Sequence, residues 1–311
     1  MRQHLWVLAL VTACAGGAAQ ADTVVRDDAL TGPAVRTASR WTPSAWSTDQ
    51  YETTPTFSPD GSAAIFMRAN RGFGSYRLLE SECIGGHWTA PREPGFASEA
   101  AMHDGDPFLS PDGKFLYFIS TRHRFAEVGN EDFDIHVVSR DQDGAWGVPE
   151  RLPAPVNSES SELLPSLDRA GNLYFGSDRP GGHGGTDIYL AVRDATGRWS
   201  VVNVDAVNTA ANDFEAEVSA DGSQLAVVSD RDVRSRLYLY RRSGNDWTQG
   251  ARVHANDAVF QVGPKFAPDG KRLLFGQDEG QLSGEIYLLD LAEGADSHWP
   301  PRCESRAMPG D

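Results

Sequence analysis

The chain has 311 residues, and its 44 acidic against 28 basic side chains give a formal net charge of −16. Such a polyanion repels phosphate groups, because nucleic-acid binding needs Lys and Arg to displace counterions. We therefore expect no nucleic-acid partner. The length suits either two average domains or one large closed β fold.

The first 21 residues have the pattern of an export signal peptide. Arg2 supplies a positive charge, residues 5–11 form a short apolar stretch, and Ala19-Gln20-Ala21 is the small-x-small pattern that precedes cleavage. The apolar stretch is too short to span a bilayer, and no later segment is apolar enough to do so. We expect a periplasmic or secreted protein.

A second interpretation of this leader remains open. Residues 11–14, Val-Thr-Ala-Cys, resemble a lipobox, which would make the chain an envelope lipoprotein acylated at Cys14. Under either interpretation Cys83 and Cys303 remain in the mature chain. An even pair in an oxidising compartment is compatible with a disulfide, and two free buried thiols are the alternative.

One motif recurs five times and organises the chain. It ends in a turn that is Pro-Asp-Gly in its fullest form, and the copies are residues 55–61, 107–113, 165–171, 216–222 and 264–270. A tryptophan recurs in step, at Trp88, Trp146, Trp199, Trp247 and Trp299. Two independent markers that share a period of about fifty residues indicate an internal repeat.

Each repeat predicts four strands. The first runs into the turn, where Pro fixes φ and Gly accepts positive φ, so the chain reverses tightly. The second and third are rich in aromatic and branched residues, as in residues 115–118 and 134–137, and the fourth carries the tryptophan. Because one such unit cannot bury both faces alone, the pattern predicts an all-β β-propeller.

The repeats divide the mature chain. We expect a propeller over residues 51–300, preceded by an N-terminal extension or closing strand at 22–50 and followed by a tail at 301–311. Trp41 or Trp46 would lie in an extra outer strand. Five blades are expected, or six if the N-terminal stretch builds a degenerate one. A Cys83–Cys303 disulfide would place the first and last repeats side by side, as a ring of five requires.

The third repeat resembles a known family. Asn157-Ser158, Glu162-Leu-Leu-Pro165, residues 173–175 and 177–182, and Asp187-Ile-Tyr189 are similar to the TolB-like, WD-related propeller repeats of bacterial envelope proteins. The other repeats match more loosely over residues 50–290. The resemblance implies a non-catalytic binding or scaffold module. Since the chain has room for neither the α/β domain of TolB nor an OmpA-like domain, we expect a stand-alone propeller that binds an envelope protein or glycan.

A polar side chain lies three residues before the aligned Pro or Ala of every repeat. The set consists of Glu52, Asp104, Glu162, Asp213 and Gln261. If the first strand is innermost, these groups would ring one mouth of the channel and could hold a cation or basic ligand. Because the position recurs in every repeat, a structural role is favoured, in which the group ties its blade to the next one or caps a strand. Recurring arginines, such as Arg179, are expected to pair with carboxylates such as Asp134 and Asp187.

Loops that break the repeat supply further candidates for partner contacts. They are His123, Arg124 and Phe125 in the second repeat and His183 in a glycine-rich hairpin of the third. No metal site or cofactor is predicted. Residues 130–134 alternate oxygen ligands but lack the glycine and distal glutamate of a calcium loop, and the chain has no H-E-x-x-H or CxxC.

An enzyme is the alternative hypothesis. The chain has no G-x-S-x-G motif. A five-bladed glycoside hydrolase would place two or three carboxylates from different inner strands around the channel, and Glu52, Asp104, Glu162 and Asp213 could be so arranged. An acid and a base need unequal environments, however, whereas these residues share one repeat position. We therefore predict no catalytic residues.

Overall fold

The computed structural model describes residues 24–25, 36–97, 103–122, 132–254, 259–278 and 283–303. The predicted signal peptide, Cys14, and the loop residues His123, Arg124 and Phe125 lie outside these ranges. Within them the chain forms strands, turns and irregular segments. No helix that could cross a membrane is found there.

Each repeat forms an antiparallel sheet, which is one blade of a propeller. The innermost strands are β4 (Tyr51–Phe57), β8 (Asp104–Leu109), β12 (Glu162–Leu167), β16 (Asp213–Val218) and β20 (Gln261–Phe266). The second strands are β5 (Ala63–Ala69), β9 (Phe115–Ser120), β13 (Leu173–Ser177), β17 (Gln224–Ser229) and β21 (Arg272–Asp278). The third strands are β6 (Tyr76–Ile84), β10 (Asp134–Ser139), β14 (Asp187–Arg193), β18 (Arg236–Ser243) and β22 (Gly284–Asp290).

The fourth strand comes from the repeat itself in blades one to four and from the N-terminal segment in blade five. Blades one to four end in β7 (His87–Trp88), β11 (Glu150–Arg151), β15 (Trp199–Asn203) and β19 (Asp246–His254). The fourth strand of blade five is β3 (Ser39–Arg40), which pairs antiparallel with β22. Two short strands, β1 (Val24–Val25) and β2 (Arg36–Thr37), extend blade four beyond β19. The N-terminal segment thus covers the edge that the last repeat leaves open.

The innermost strands form a closed ring. Each contacts the innermost strands of its two neighbours in the order β4, β8, β12, β16, β20, and β20 contacts β4 again. The prediction of an all-β propeller is confirmed, and the described residues form five blades. The described N-terminal strands extend existing blades instead of building a sixth.

The core lies between blades, as the repeat argument requires. Five separate apolar clusters are present in the described residues, and each is shared by two adjacent blades. The cluster between blades five and one, for example, combines Leu274 and Ile286 with Phe66 and includes Trp46 and Trp299. Because the second and third strands of every blade are apolar on both faces, each blade is stable only with neighbours on both sides.

The repeat turn forms as predicted. In the first repeat the carbonyl of Ser58 accepts a hydrogen bond from the amide of Gly61 at 2.8 Å. Gly61 and the four equivalent glycines have φ between 69° and 81°, a conformation that favours glycine. The turns all join a first strand to a second strand, so they lie together on one face of the ring. We call this the turn face, and the opposite side, where the innermost strands begin, the start face.

The expected positions of the tryptophans need correction. Trp88, Trp199 and Trp247 lie in fourth strands, but Trp146 forms only a single bridge with Arg140, and Trp299 lies in a turn after blade five. Because β3 already occupies the outer edge of blade five, Trp299 packs inward and is 8% exposed. Trp41 and Trp46 also lie outside strands, and Trp46 stacks on Phe66 with ring centroids 4.6 Å apart.

A disulfide joins the first blade to the end of the chain. Cys83, at the end of β6, is bonded to Cys303, 220 residues later. The bond holds the segment after blade five against blade one. The first and last repeats are therefore linked by β3, by packing and by a covalent bond.

Candidate functional site in the central channel

The five polar residues that begin the innermost strands are buried inside their own blades. Glu52, Glu162, Asp213 and Gln261 are 0% exposed and Asp104 is 3% exposed. Each carboxylate binds an arginine that lies near the end of the second strand of its blade, either within the strand or two residues beyond it. The pairs are Glu52–Arg68 at 2.7 Å, Asp104–Arg122 at 2.8 Å, Glu162–Arg179 at 2.9 Å and Asp213–Arg231 at 2.6 Å.

The same arginines fasten the segment that enters the blade. Arg179, for example, donates to the carbonyls of Pro155 and Val156, and Glu162 accepts from Ser158 Oγ at 2.6 Å. Burial raises the pKa of Glu162 to about 7, although the Ser158 hydrogen bond and the charge of Arg179 oppose this. The predicted ring of free ligands is therefore not what the structure shows, because these carboxylates are occupied as structural ties.

The recurring arginines do pair with carboxylates of their own blades, but the two carboxylates named from the sequence are not their partners. Arg179 binds Glu162 and not Asp134 or Asp187. Asp134 instead binds Arg151 at 2.6 Å, and Asp187 accepts the amide of His183 at 2.8 Å. The error arose because the carboxylate at the start of the first strand lies directly opposite the end of the second strand, a cross-strand relation that the sequence does not display.

A second set of residues lies two positions further along each innermost strand. It consists of Thr54, Asp106, Leu164, Glu215 and Gly263, and we call it the bulge ring. The strand pairing shifts register in every blade at this point, and Thr54, Asp106, Leu164 and Gly263 have positive φ. Bulges of this kind re-aim side chains and are frequent near functional sites.

Two bulge-ring residues are carboxylates that connect blades. Asp106 Oδ2 accepts a hydrogen bond from the amide of Leu164 at 3.2 Å, and Glu215 Oε2 accepts one from the amide of Gly263 at 2.6 Å. Burial raises the pKa of both carboxyls, and the charge of Asp106 raises that of Glu215 further. Both occupy the bulge position of an innermost strand, so they lie at the same level of the channel, which we call its neck.

The turn face has a cavity of about 900 Å³ at its centre. It is lined by equivalent positions of all five repeats, at two levels. The wall consists of Phe57, Leu109, Leu167, Val218 and Phe266, and the rim consists of the second turn residues Pro59, Pro111, Arg169, Ala220 and Pro268. The segment after blade five contributes one side, including Trp299, Arg302 and Cys303. We call this the turn-face cavity.

The deepest charged groups of the turn-face cavity neutralise each other. Lys265 Nζ lies 3.0 Å from Glu217 Oε1 and 3.8 Å from the centre of the Phe108 ring. Two arginines at the edge of the cavity have no such partner. Arg169, on the rim, and Arg302, in the segment after blade five, are exposed, and neither forms an ion pair with a residue that the structure describes. The cavity thus combines apolar walls with two guanidinium groups that are open to a ligand.

The remaining predicted contact, His183, lies on the start face, away from the turn-face cavity. Its side chain is exposed, and its Nε2 lies 2.8 Å from Asp205 Oδ1, which raises the pKa of the imidazole. The sequence reasoning missed Asp106, Glu215, Arg169 and Arg302. A signal was present for the first three, since Asp106, Glu215 and Arg169 vary between repeats at positions whose neighbours are repeated, whereas Arg302 lies after the last repeat.

Comparison with known proteins supports the fold. No protein-family model and no curated protein matches the sequence. A solved protein from Agrobacterium tumefaciens, described as a TolB, aligns with a TM-score of 0.50 and 16% identity over 85% of this chain and 80% of that chain. TolB from Acinetobacter baumannii gives 0.48 and 15% over 87% of this chain and 63% of that one. A Xanthomonas campestris gluconolactonase gives 0.49 and 12% over 90% and 98%.

Sequence identities this low support a shared fold only. The activities of those proteins are therefore not assigned to this chain. The Agrobacterium likeness extends over most of both chains, and it agrees with the blade order and ring closure described above. The chain has a TolB-like β-propeller fold.

Proposed function

We propose that this chain is an exported, non-catalytic binding module of the bacterial cell envelope, which takes a segment of a partner protein into the turn-face cavity. The observation that carries the proposal is the cavity itself, about 900 Å³, built by all five repeats on a rigid ring. Cavities of this volume are typical of ligand sites, and loops on a rigid scaffold commonly carry recognition.

The rim defines the chemistry of the partner segment. Apolar side chains occupy all five wall positions and four of the five rim positions, so the segment buries apolar groups there. Arg169 and Arg302 would face a carboxylate, because each presents a planar fork of donors that matches one. Asp60 and Asp296 also line the cavity, but their carboxylates accept hydrogen bonds from Ser58, Ser62 and the His298 amide, whereas the two arginines have no such partner among the described residues. The expected partner segment is apolar with an acidic residue.

Site-specific cross-linking in intact cells tests this proposal. A photoreactive residue at Pro111, on the cavity rim, should yield an adduct with a partner protein. The same residue at Val233, which is 93% exposed on the start face, should not. The variant Arg169→Glu with Arg302→Glu should reduce the Pro111 adduct at least tenfold. An absent adduct, or one that ignores charge reversal, would contradict the proposal, and a protease-resistant glycan adduct would replace the protein partner with a glycan.

A glycoside hydrolase is the second candidate, and one observation favours it. Asp106 and Glu215 come from different innermost strands and occupy equivalent positions at the same level of the channel. Burial raises the pKa of both, however, so their environments do not separate an acid from a base. Hydrolysis of any member of an envelope-glycan panel by the wild type, abolished in Glu215→Gln, would establish this alternative.

A further inference from the structure

Asp106 and Glu215 differ from the other buried carboxylates of the innermost strands. Glu52, Asp104, Glu162, Asp213 and Glu217 all have a cationic side chain within 3.0 Å. Asp106 and Glu215 are 5% and 9% exposed, yet among the described residues neither forms an ion pair. A buried carboxylate without a counter-ion is costly, so such a site either holds a proton or accepts a cation.

A third polar group belongs to the same neck. Thr54 occupies the equivalent bulge position of β4 and is 4% exposed, and its hydroxyl has no hydrogen-bond partner among the described residues. Its side chain lies beside Gly263, since a Cβ placed on Gly263 would be 2.7 Å from Thr54 Cγ2. The amide of Gly263 is in turn bound to Glu215. Thr54 and Glu215 therefore flank the same point of the ring.

Aromatic side chains form a continuous cluster on the start face. Its members are Tyr51, Phe73, Tyr76, His103, Phe133 and Phe260, and neighbouring ring centroids lie 4.6 to 6.2 Å apart. Most of these rings are half-buried. Phe73 joins the cluster with a φ of 54°, which is rare for a bulky residue. The corresponding turn residue of blade four, Val233, has a φ of 79° but is exposed, so the strained turn does not by itself bury its side chain.

The aromatic cluster and the bulge ring lie at the same end of the channel, since Tyr51 and Tyr76 begin β4 and β6 and Asp106 is the third residue of β8. Burial raises the pKa of Tyr76, and the charges of Asp106 and Glu215 raise it further. Tyr76 also contacts His103 and Phe133, with ring centroids 5.7 and 5.5 Å away. The neck thus has anionic groups within electrostatic reach of aromatic rings, which is the combination that recognises organic cations.

We propose that the channel neck binds a small primary alkylammonium ion, with its NH₃⁺ group at Asp106, Glu215 and Thr54 and its alkyl chain against the aromatic cluster. An ammonium group has three N–H donors, and the neck offers two carboxylates and one unpartnered hydroxyl to accept them. A divalent metal suits the neck less well. The described residues contain no group of three metal-binding side chains, and both carboxylates already accept an amide.

Calorimetry on the full-length protein at pH 7.5 tests this site, with n-butylammonium as the probe and 1-pentanol as its neutral analogue. The wild type should bind n-butylammonium with one-to-one stoichiometry and bind 1-pentanol at least tenfold more weakly. Glu215→Gln, which can still accept the Gly263 amide, should lose at least tenfold in affinity, and Phe73→Ala about tenfold. Val233→Ala, at the matched turn of blade four, should bind as the wild type does.

Two results would overturn the proposal. One is equal binding of n-butylammonium and 1-pentanol by the wild type, a comparison that needs no variant to fold. The other is calcium binding at the neck that displaces n-butylammonium and is lost in Glu215→Gln, which would assign the site to a metal. The inference is independent of the proposed partner site, because Asp106, Glu215 and Thr54 do not line the turn-face cavity. Arg169→Glu should therefore leave n-butylammonium binding unchanged.

Discussion

The amide of Gly263 donates a hydrogen bond to Glu215 Oε2 at 2.6 Å, which joins the innermost strands of blades five and four. The same device recurs around the ring. The amide of Leu164 binds Asp106 between blades three and two. Thr56 Oγ1 accepts the Leu109 amide between blades one and two, and Ser166 Oγ accepts the Val218 amide between blades three and four. Side chains of the innermost strands thus tie neighbouring blades together along the channel.

The carboxylate ties make stability depend on pH. In the unfolded chain Glu215 loses its proton near pH 4.3, whereas burial and the charge of Asp106 make the folded protein retain it to higher pH. The folded state then binds more protons, so the free energy of unfolding falls as pH rises above about 4.3, by up to about 1.4 kcal/mol per pH unit for each such carboxyl. We predict that Glu215→Gln makes this decline shallower, as measured by urea unfolding between pH 5 and 8.

Asp112→Asn provides the control for this pH dependence. Asp112 is exposed, and hydrogen bonds from Ser110 and the Lys114 amide lower its pKa, so its contribution changes only at pH values below those tested. The variant should keep the wild-type slope between pH 5 and 8. A slope for Glu215→Gln equal to that of the wild type would show that Glu215 is ionised in the folded protein throughout this range.

The arginine ties should be needed for stability. Arg179→Ala leaves Glu162, which is 0% exposed, without its cation, and we expect a loss of about 3 kcal/mol. Adding Glu162→Gln should restore part of the loss because the uncompensated charge is removed. Arg198→Ala, which breaks the exposed pair with Asp194, should have no measurable effect. Chemical denaturation of the four proteins measures these differences, and equal losses in Arg179→Ala and Arg198→Ala would refute the argument.

The repeated residues predicted the fold well, whereas most charged residues of the candidate sites in the channel are at positions that vary between repeats. The Pro-Asp-Gly turns and apolar second strands specify a blade, so the propeller followed from their spacing. The closing role of β3 could not be read from Ser39 and Arg40, because a two-residue strand has no pattern of its own. The pairing of Glu162 with Arg179, and the meeting of Asp106 with Glu215, depend on cross-strand register and ring closure over about 110 residues, which local patterns do not encode.

The disulfide should contribute to stability through chain entropy. Closing a loop of 220 residues between Cys83 and Cys303 restricts the unfolded chain, which corresponds to about 5 kcal/mol in the simple loop model. We predict that dithiothreitol lowers the melting temperature of the wild type. Dithiothreitol should have no further effect on a Cys83→Ser, Cys303→Ser double variant. Equal melting temperatures for the oxidised and reduced wild type would contradict this prediction.

Gly263 offers the most selective test of the bulge ring. Its φ of 61° alone disfavours a side chain, and a Cβ there would lie 2.1 Å from Thr53 Oγ1 and 2.7 Å from Thr54 Cγ2. Gly197 has a φ of 83° with nothing within 4 Å of its Cβ position, so the two glycines share the backbone cost and differ in crowding. We expect Gly197→Ala to cost about 1 kcal/mol and Gly263→Ala about 3 kcal/mol or more, as measured by urea unfolding.

The excess cost of Gly263→Ala should depend on Thr53. Replacing Thr53 with Ala removes the Oγ1 atom that the new methyl group would meet, so the double variant should recover part of the excess relative to Thr53→Ala alone. The effects of Thr53→Ala and Gly197→Ala on the free energy of unfolding should be additive, because Gly197 lies on an exposed turn in blade three. Additive behaviour at both glycines would mean that the innermost strands of blades five and one are not packed closely at the bulge, and the channel neck would then be wider than the structure has it.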